Sequence, residues 1–318
     1  MKIIVLDGDT LNHGDIDWDV LGKYGELTVY DRTDDELISE RIQECDIVFT
    51  NKTPIQKEHM IGAKNLKFIG VLATGYNIVD VAAARELGID VSNIPAYGTD
   101  AVAQHVFALI LSICNSVSEH SRAVFDGQWT RCIDFCFWNQ PLIELKEKTL
   151  GLIGFGNIGK QTARIANAFN MNVLVYTRTP NYTLETENLK FVSLDDLYKL
   201  ADIISMHLPL FESTSGMINS ETIAKMKDNV IFINTSRGGL VVEEDLKEAL
   251  ISGKIKAAAI DVISVEPMDE DNILLKAPNL LITPHIAWAP LEARKRLLGI
   301  ASDNLQSFID GKTINLVN

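Results

Sequence analysis

Short runs of Val, Ile, Leu and Phe alternate along the chain with stretches whose apolar residues recur every three or four positions. This is the pattern of parallel strands covered on both faces by helices. The runs fall into two blocks. In the first, strands are expected at residues 2–7, 46–50, 67–72 and 89–93, each closing on polar residues or glycine, where ligand-facing loops of such sheets belong. A long helical pattern without proline follows from Thr99 to about Gly127, with Val102, Val106, Leu109, Ile110 and Ile113 on its apolar stripe. It is expected to link the blocks as one helix.

The second block carries expected strands at 149–153, 172–176, 203–207, 230–234, 257–261 and 280–283, the strand count of a dinucleotide-binding domain. After Pro290 one last amphipathic helix is expected, with Leu291, Leu297, Leu298 and Ile300, before a short polar tail. No solenoid period or low-complexity tract interrupts the pattern. The fold class is therefore α/β, with two Rossmann-like doubly wound parallel-sheet domains.

Composition narrows the function classes. The chain has 318 residues, 47% hydrophobic and 23% charged, with a formal net charge of -14. That balance argues against nucleic acid as a partner, since phosphates are bound by clustered Lys and Arg. The opening apolar run ends after a few residues at Asp7 and Gly8, so it reads as a strand and not as a signal peptide. The apolar stretch 101–114 contains Gln104 and His105 and falls short of the roughly 20 residues a bilayer requires, so no membrane partner is expected. Four cysteines, Cys45, Cys114, Cys132 and Cys136, do not form a disulfide framework for a chain of this size, and the cytoplasm is the expected location. Cys132 and Cys136 lack a nearby second ligand pair, so no metal is expected.

Residues 149–164 place G-x-G-x-x-G, as Gly154, Gly156 and Gly159, where a strand ends and a helix opens. The first glycine permits the tight turn, the second lets backbone approach a pyrophosphate, and the third lets helix pack on strand. At the end of the next strand, where an acid usually bonds the ribose 2′-hydroxyl, stand Thr177 and Arg178. A hydroxyl and a guanidinium remove repulsion against a 2′-phosphate and offer it donors. Arg178 also fits an ordinary surface cation. Both NAD and NADP therefore stay open as cofactor.

Three further strand ends each deliver one polar residue suited to hydride chemistry: Arg237 in Asn234-Thr-Ser-Arg237-Gly-Gly, Glu266 in Asp261-Val-Ile-Ser-Val-Glu266-Pro, and His285 in Thr283-Pro-His285-Ile-Ala. Reduction of a carbonyl develops negative charge on oxygen and needs a proton there, which a histidine beside a carboxylate supplies near neutrality. A guanidinium fork suits a substrate carboxylate. Taken singly, each residue also reads as ordinary turn, loop or ion-pair chemistry.

With the glycine loop before them, these segments resemble the D-isomer-specific 2-hydroxyacid dehydrogenase family over essentially the whole chain. Within it, residues 72–80, the 101–105 helix segment, Phe137-Trp138 and His285-Ile-Ala-Trp288 are most similar to the glycerate dehydrogenase, or hydroxypyruvate reductase, branch. The resemblance implies a reversible hydride transfer between NAD(P)H and a small D-2-hydroxy or 2-oxo acid, such as hydroxypyruvate or glyoxylate. It implies that Arg237 grips substrate, His285 exchanges the proton and Glu266 holds the imidazole. Backbone N–H groups of Ala73, Thr74 and Gly75 would meet the substrate carboxylate. Cofactor contacts would come from Gly154, Gly156, Asn157, Ile158, Gly159, Thr177, Arg178, Leu208, Pro209, Thr235, Ser236 and Asp261.

The resemblance further implies a discontinuous substrate domain of residues 1–97 plus 290–318, a cofactor domain of 98–289 and an active-site cleft between them. Hinges are expected near 95–100 and 287–290. A homodimer is expected, with the aromatic segment from Trp129 to Trp138, and Trp288, as interface material. His105 and His207 read as packed structural residues. The alternatives are a dinucleotide-sensing corepressor-like binding protein on the same scaffold, or a phosphoglycerate, formate or D-lactate dehydrogenase.

Overall fold

Twelve strands, every pair of neighbours parallel, form two sheets in the computed structural model, which describes residues 1–318. The chain divides into one unit of Met1–Gly98 with Trp288–Asn318 and a second of Thr99–Ala287.

In the first unit β1 (Lys2–Val5), β2 (Glu26–Val29), β3 (Ile47–Thr50), β4 (Phe68–Val71) and β5 (Asp90–Ser92) lie in the order β2-β1-β3-β4-β5. Its core gathers Leu6, Val48, Ile69, Val71 and Val91 from the sheet with Ile38, Ile42, Met60 and Ala83 from helices on one face. The last helix, Leu291–Ile309, belongs to this unit and buries Ala293, Leu297, Leu298, Ala301 and Leu305. Its partner, which the sequence did not name, is this sheet: Phe308 lies 5.0 Å from Phe68 between ring centroids. The Tyr24 hydroxyl reaches Ser302, and the Arg294 guanidinium grips both Asp15 carboxylate oxygens at 2.6 Å.

In the second unit β6 (Thr149–Ile153), β7 (Asn172–Tyr176), β8 (Leu189–Phe191), β9 (Ile203–Met206), β10 (Val230–Asn234), β11 (Ile255–Ile260) and β12 (Leu280–Ile282) take the order β12-β11-β10-β9-β6-β7-β8. Successive residues feed opposite faces, and both faces are covered. Ile153, Ile204, Met206 and Phe232 enter one core, while Leu152, Ile203, Ile231 and Ile233 enter the other against helices Thr99–Asn115 and Asn157–Ala168. Burial on both sides is why the strands read as continuous apolar runs.

Two strands add to those the pattern predicts. Both β2 and β8 are sheet edges; β2 alternates exposed and half-buried residues, and β8 buries only Leu189, so neither leaves an apolar run in the sequence. The helix expected from Thr99 to Gly127 is corrected to two, Thr99–Asn115 and Val117–Phe125, bent by 51°. Ser116 between them takes φ 46°, a left-handed conformation that ends the hydrogen-bond ladder. Neither glycine nor proline marks the break. No single helix is long and apolar enough to cross a membrane.

Candidate active site

The chain order of the larger sheet reverses between β6 and β9, and ligands of such sheets bind outside the carboxyl ends of the strands at that point. Gly154 leaves β6 at φ 106°, and a Cβ on it would lie 2.2 Å from the His207 carbonyl oxygen just past β9. A Cβ on Gly159 would lie 2.5 Å from the Gly154 oxygen, so that glycine brings helix onto strand. Gly156 differs. It is the N-cap of helix Asn157–Ala168, has no side-chain cap, and a Cβ there would meet nothing within 4 Å. Packing within the chain does not require a glycine at that position, whereas an anion drawn to the uncapped first turn does.

A second observation points the same way. Just past β10, the Thr235 hydroxyl is buried without a hydrogen-bond partner. Buried polar groups are almost always paired, so an unpaired one at a strand end of this edge suits a polar ligand group. Gly156, Asn157 and Ile158, with Thr235 and Ser236 farther along the edge, are the residues that could hold a dinucleotide. Ser236 itself donates to the Met206 carbonyl at 2.7 Å. Leu208 is half-buried and Pro209 exposed after β9. Beyond β7, Thr177 is half-buried, and Arg178 is exposed with no partner in the chain.

Arg237, Glu266 and His285 follow β10, β11 and β12, three consecutive neighbours in one parallel sheet, so their loops share one edge. Buried Asn234 shapes the first loop: its side-chain oxygen accepts the Ser236 N–H at 3.0 Å and its Nδ2 donates to the Arg237 carbonyl at 2.9 Å. The Arg237 guanidinium is exposed, donates to the Ser236 carbonyl at 2.7 Å and has no carboxylate partner. Glu266 accepts the Ile263 N–H at 3.2 Å through Oε1, which leaves Oε2 for His285 Nδ1 at 2.7 Å. The pair is half-exposed, and His285 Nε2 has no partner in the chain. With Nδ1 held by a carboxylate, Nε2 is the nitrogen open to a reacting group.

His285 sits at φ 53°, a conformation uncommon for any side chain other than glycine. The fully buried Asp261 carboxylate holds it there. Its Oδ1 accepts from the Thr283 hydroxyl at 2.5 Å and the Ile286 N–H at 2.9 Å, and its Oδ2 accepts the Ala287 N–H at 2.8 Å. The residue expected to contact the cofactor is thus engaged by the loop carrying His285. Because the Thr283 hydroxyl donates to Asp261, it accepts from His105 Nε2, 3.2 Å away. His207 meets Ser205 Oγ at 3.0 Å, and burial pushes its imidazole down to about 4, so it stays neutral at pH 7.

The first unit carries Ala73, Thr74 and Gly75 directly after β4. Ala73 accepts the Ile94 N–H at 3.0 Å, the Thr74 hydroxyl donates to the Ile94 carbonyl at 2.8 Å, and Asn93 Nδ2 donates to the Thr74 carbonyl at 2.7 Å. The Thr74 and Gly75 N–H groups have no acceptor in the chain. Sequence reasoning missed Asn234, Thr283 and the role of Asp261. The only signal available was a polar residue closing each apolar run.

Residues 107–287 match the NAD binding domain of the D-isomer specific 2-hydroxyacid dehydrogenases. The chain is 53% identical over 321 residues to a hydroxypyruvate reductase of Blautia hydrogenotrophica, covering 100% of both. It is 37% identical over 319 residues to a glycerate dehydrogenase of Methylorubrum extorquens, covering 99% of this chain and 98% of the relative. Among solved structures, an acyclic imino acid reductase, Bsp5, in complex with NADPH and D-Arg superposes with a TM-score of 0.86 at 29% identity, covering 100% of both chains.

Proposed function

The chain belongs to the D-isomer specific 2-hydroxyacid dehydrogenase family, and from that premise we propose that it reduces hydroxypyruvate to D-glycerate, or glyoxylate to glycolate, reversibly. The observation that carries this reading is the His285–Glu266 pair at 2.7 Å, with Nε2 open, beside a strand end that carries an exposed Arg237 without an acid partner. The bound nicotinamide cofactor supplies the hydride. Arg237 holds the substrate carboxylate and stabilises charge developing on the carbonyl oxygen. His285 gives its Nε2 proton to that oxygen, and takes one back in the oxidation direction. Glu266 fixes the ring through Nδ1, which leaves Nε2 to face the reacting oxygen.

NADPH is the preferred cofactor in this reading. An exposed, unpaired Arg178 and the half-buried Thr177 take the place of an acid that would repel a 2′-phosphate. The chain acts as a homodimer. Phe125, Ile133, Phe135 and Trp138 stand 88%, 102%, 88% and 64% exposed along one segment, which marks an association surface. Four free cysteines suit the reducing cytoplasm.

A panel of 2-oxo acids assayed with NADPH and NADH tests the reading. Arg237→Ala is expected to lose turnover mainly through KM and His285→Ala mainly through kcat. Near-normal turnover by the histidine variant would sink the mechanism. A clean monomer in solution would overturn the dimer.

A further inference from the structure

His105 stands in the helix Thr99–Asn115, whose inward positions Val102, Val106, Phe107, Leu109 and Ile110 are buried and apolar. That helix packs on β10 and β11, the strands that lead into the loops of Arg237 and Glu266. The imidazole brings a polar edge into an apolar face, and the fold gives that edge a partner 178 residues away in the chain. Its Nε2 lies 3.2 Å from the Thr283 hydroxyl, two residues before His285.

The neighbours fix the direction of this bond. Thr283 has one hydroxyl proton and gives it to Asp261 Oδ1 at 2.5 Å, so the hydroxyl accepts from His105 Nε2–H. His105 Nε2 is 3.6 Å from the same carboxylate oxygen, too far for a hydrogen bond, so the hydroxyl carries the link. The Asp261 side chain is fully buried, and neither lysine nor arginine pairs with it. A carboxylate in that position depends on well-placed donors. Two of them are the Ile286 and Ala287 N–H groups, while the Thr283 carbonyl accepts the His285 N–H at 3.0 Å. His285 is therefore pinned from both sides at φ 53°, a conformation that a side chain keeps only where its surroundings over-determine it.

We propose that His105 is a positioning residue for the proton donor. Its Nε2–H orients the Thr283 hydroxyl, the hydroxyl holds the plane of the Asp261 carboxylate, and the carboxylate holds the backbone from which His285 presents its own Nε2. Hydrogen bonds in such a chain polarise one another, so each link depends on the next. The proposal rests on the 2-oxo acid reading above, in which His285 supplies the proton, and it replaces the packing role that the sequence suggested for His105.

The test compares full-length wild type, His105→Phe, His105→Gln, Thr283→Val and the double variant of His105→Phe with Thr283→Val, on hydroxypyruvate with NADPH saturating. His105→Phe is expected to lower kcat about tenfold, short of the roughly hundredfold that a displacement of about 1 Å can cost, with KM for hydroxypyruvate within about twofold. His105→Gln keeps an N–H that reaches Thr283 and is expected to recover kcat to within about threefold. In the double variant the phenylalanine is expected to cost no more than about twofold beyond Thr283→Val alone, because the link is already cut. Without substrate, nitrogen NMR of the imidazoles is expected to show the His285 signals shifted in His105→Phe and unmoved in His105→Gln. Wild-type kcat in His105→Phe, a glutamine variant as slow as the phenylalanine one, a loss confined to KM, or full additivity in the double variant would overturn the proposal. If His105→Phe does not fold, Thr283→Val must show the kcat loss and the His285 shift, and wild-type behaviour there overturns the proposal equally. A wild type that reduces no 2-oxo acid overturns the functional reading instead, and the NMR shifts then decide the positioning role by themselves.

Discussion

Gly238 lies so close to the backbone of Ile263 that a Cβ on it would stand 1.8 Å from the Ile263 carbonyl carbon. The contact joins the loop that carries Arg237 to the segment that carries Glu266, whose Oε1 is held by the Ile263 N–H. Gly238→Ala must therefore push two backbones apart. A loss of about 3 kcal/mol in urea unfolding is expected, at the upper end of overpacking costs. kcat/KM is expected to fall more than stability explains, because Arg237 and Glu266 move relative to each other.

Glu266→Gln keeps a hydrogen-bonding side chain opposite His285 Nδ1 and removes its charge. A neutral amide is a weaker hydrogen-bond partner for Nδ1 than a carboxylate, so the ring that presents Nε2 is held less firmly. The expected outcome in steady-state kinetics at pH 7 is a fall in kcat of about 10²-fold, within the usual range for general acid catalysis. KM for the 2-oxo acid is expected to stay within about threefold. A larger change in KM than in kcat would assign Glu266 to substrate binding instead.

Thr177→Asp returns a carboxylate to the end of β7. It is expected to raise KM for NADPH by about tenfold or more through repulsion of the 2′-phosphate, and to lower KM for NADH. Arg178→Ala is expected to weaken NADPH alone. Both are read from cofactor titrations at fixed 2-oxo acid, and equal effects on the two cofactors would remove this loop from phosphate recognition.

His207 makes stability depend on pH. Burial holds its imidazole at about 4 in the folded protein, against an ordinary value near 6.5. Between those values the unfolded chain takes up a proton that the folded one refuses, so stability falls as pH drops from about 6.5 to about 4. The slope from this group is at most about 1.4 kcal/mol per pH unit, or about 3 kcal/mol across the window. His207→Gln, which titrates nothing, is expected to flatten that part of the curve. Urea midpoints at pH 7.5 and pH 5 measure the difference.

The buried strands β1, β3, β4, β6, β7, β9, β10 and β11 are legible in the sequence because both faces of each are covered, and two-sided burial demands unbroken apolar runs. β2 and β8 are not, because an edge strand needs little apolar surface and its pairing is decided by the neighbour it lies against. The break at Ser116 escapes for a related reason: a left-handed serine carries no composition signal, and the two helices share one apolar periodicity.

Of the candidate site, the sequence by itself determined the residue types and their order. It placed a glycine turn after β6, a missing acid after β7, and Arg237, Glu266 and His285 after three later strands, because loops at strand ends inherit their position from the chain. Tertiary structure alone decided that β10, β11 and β12 are neighbours and that Glu266 reaches His285 Nδ1 at 2.7 Å. It alone turned Asp261 inward to hold His285 at φ 53°, left the Thr235 hydroxyl unpaired, and spent Asp7 on the loop after β3. Hydrogen bonds between residues tens of positions apart depend on strand order and register, and neither is written in any local run of the sequence.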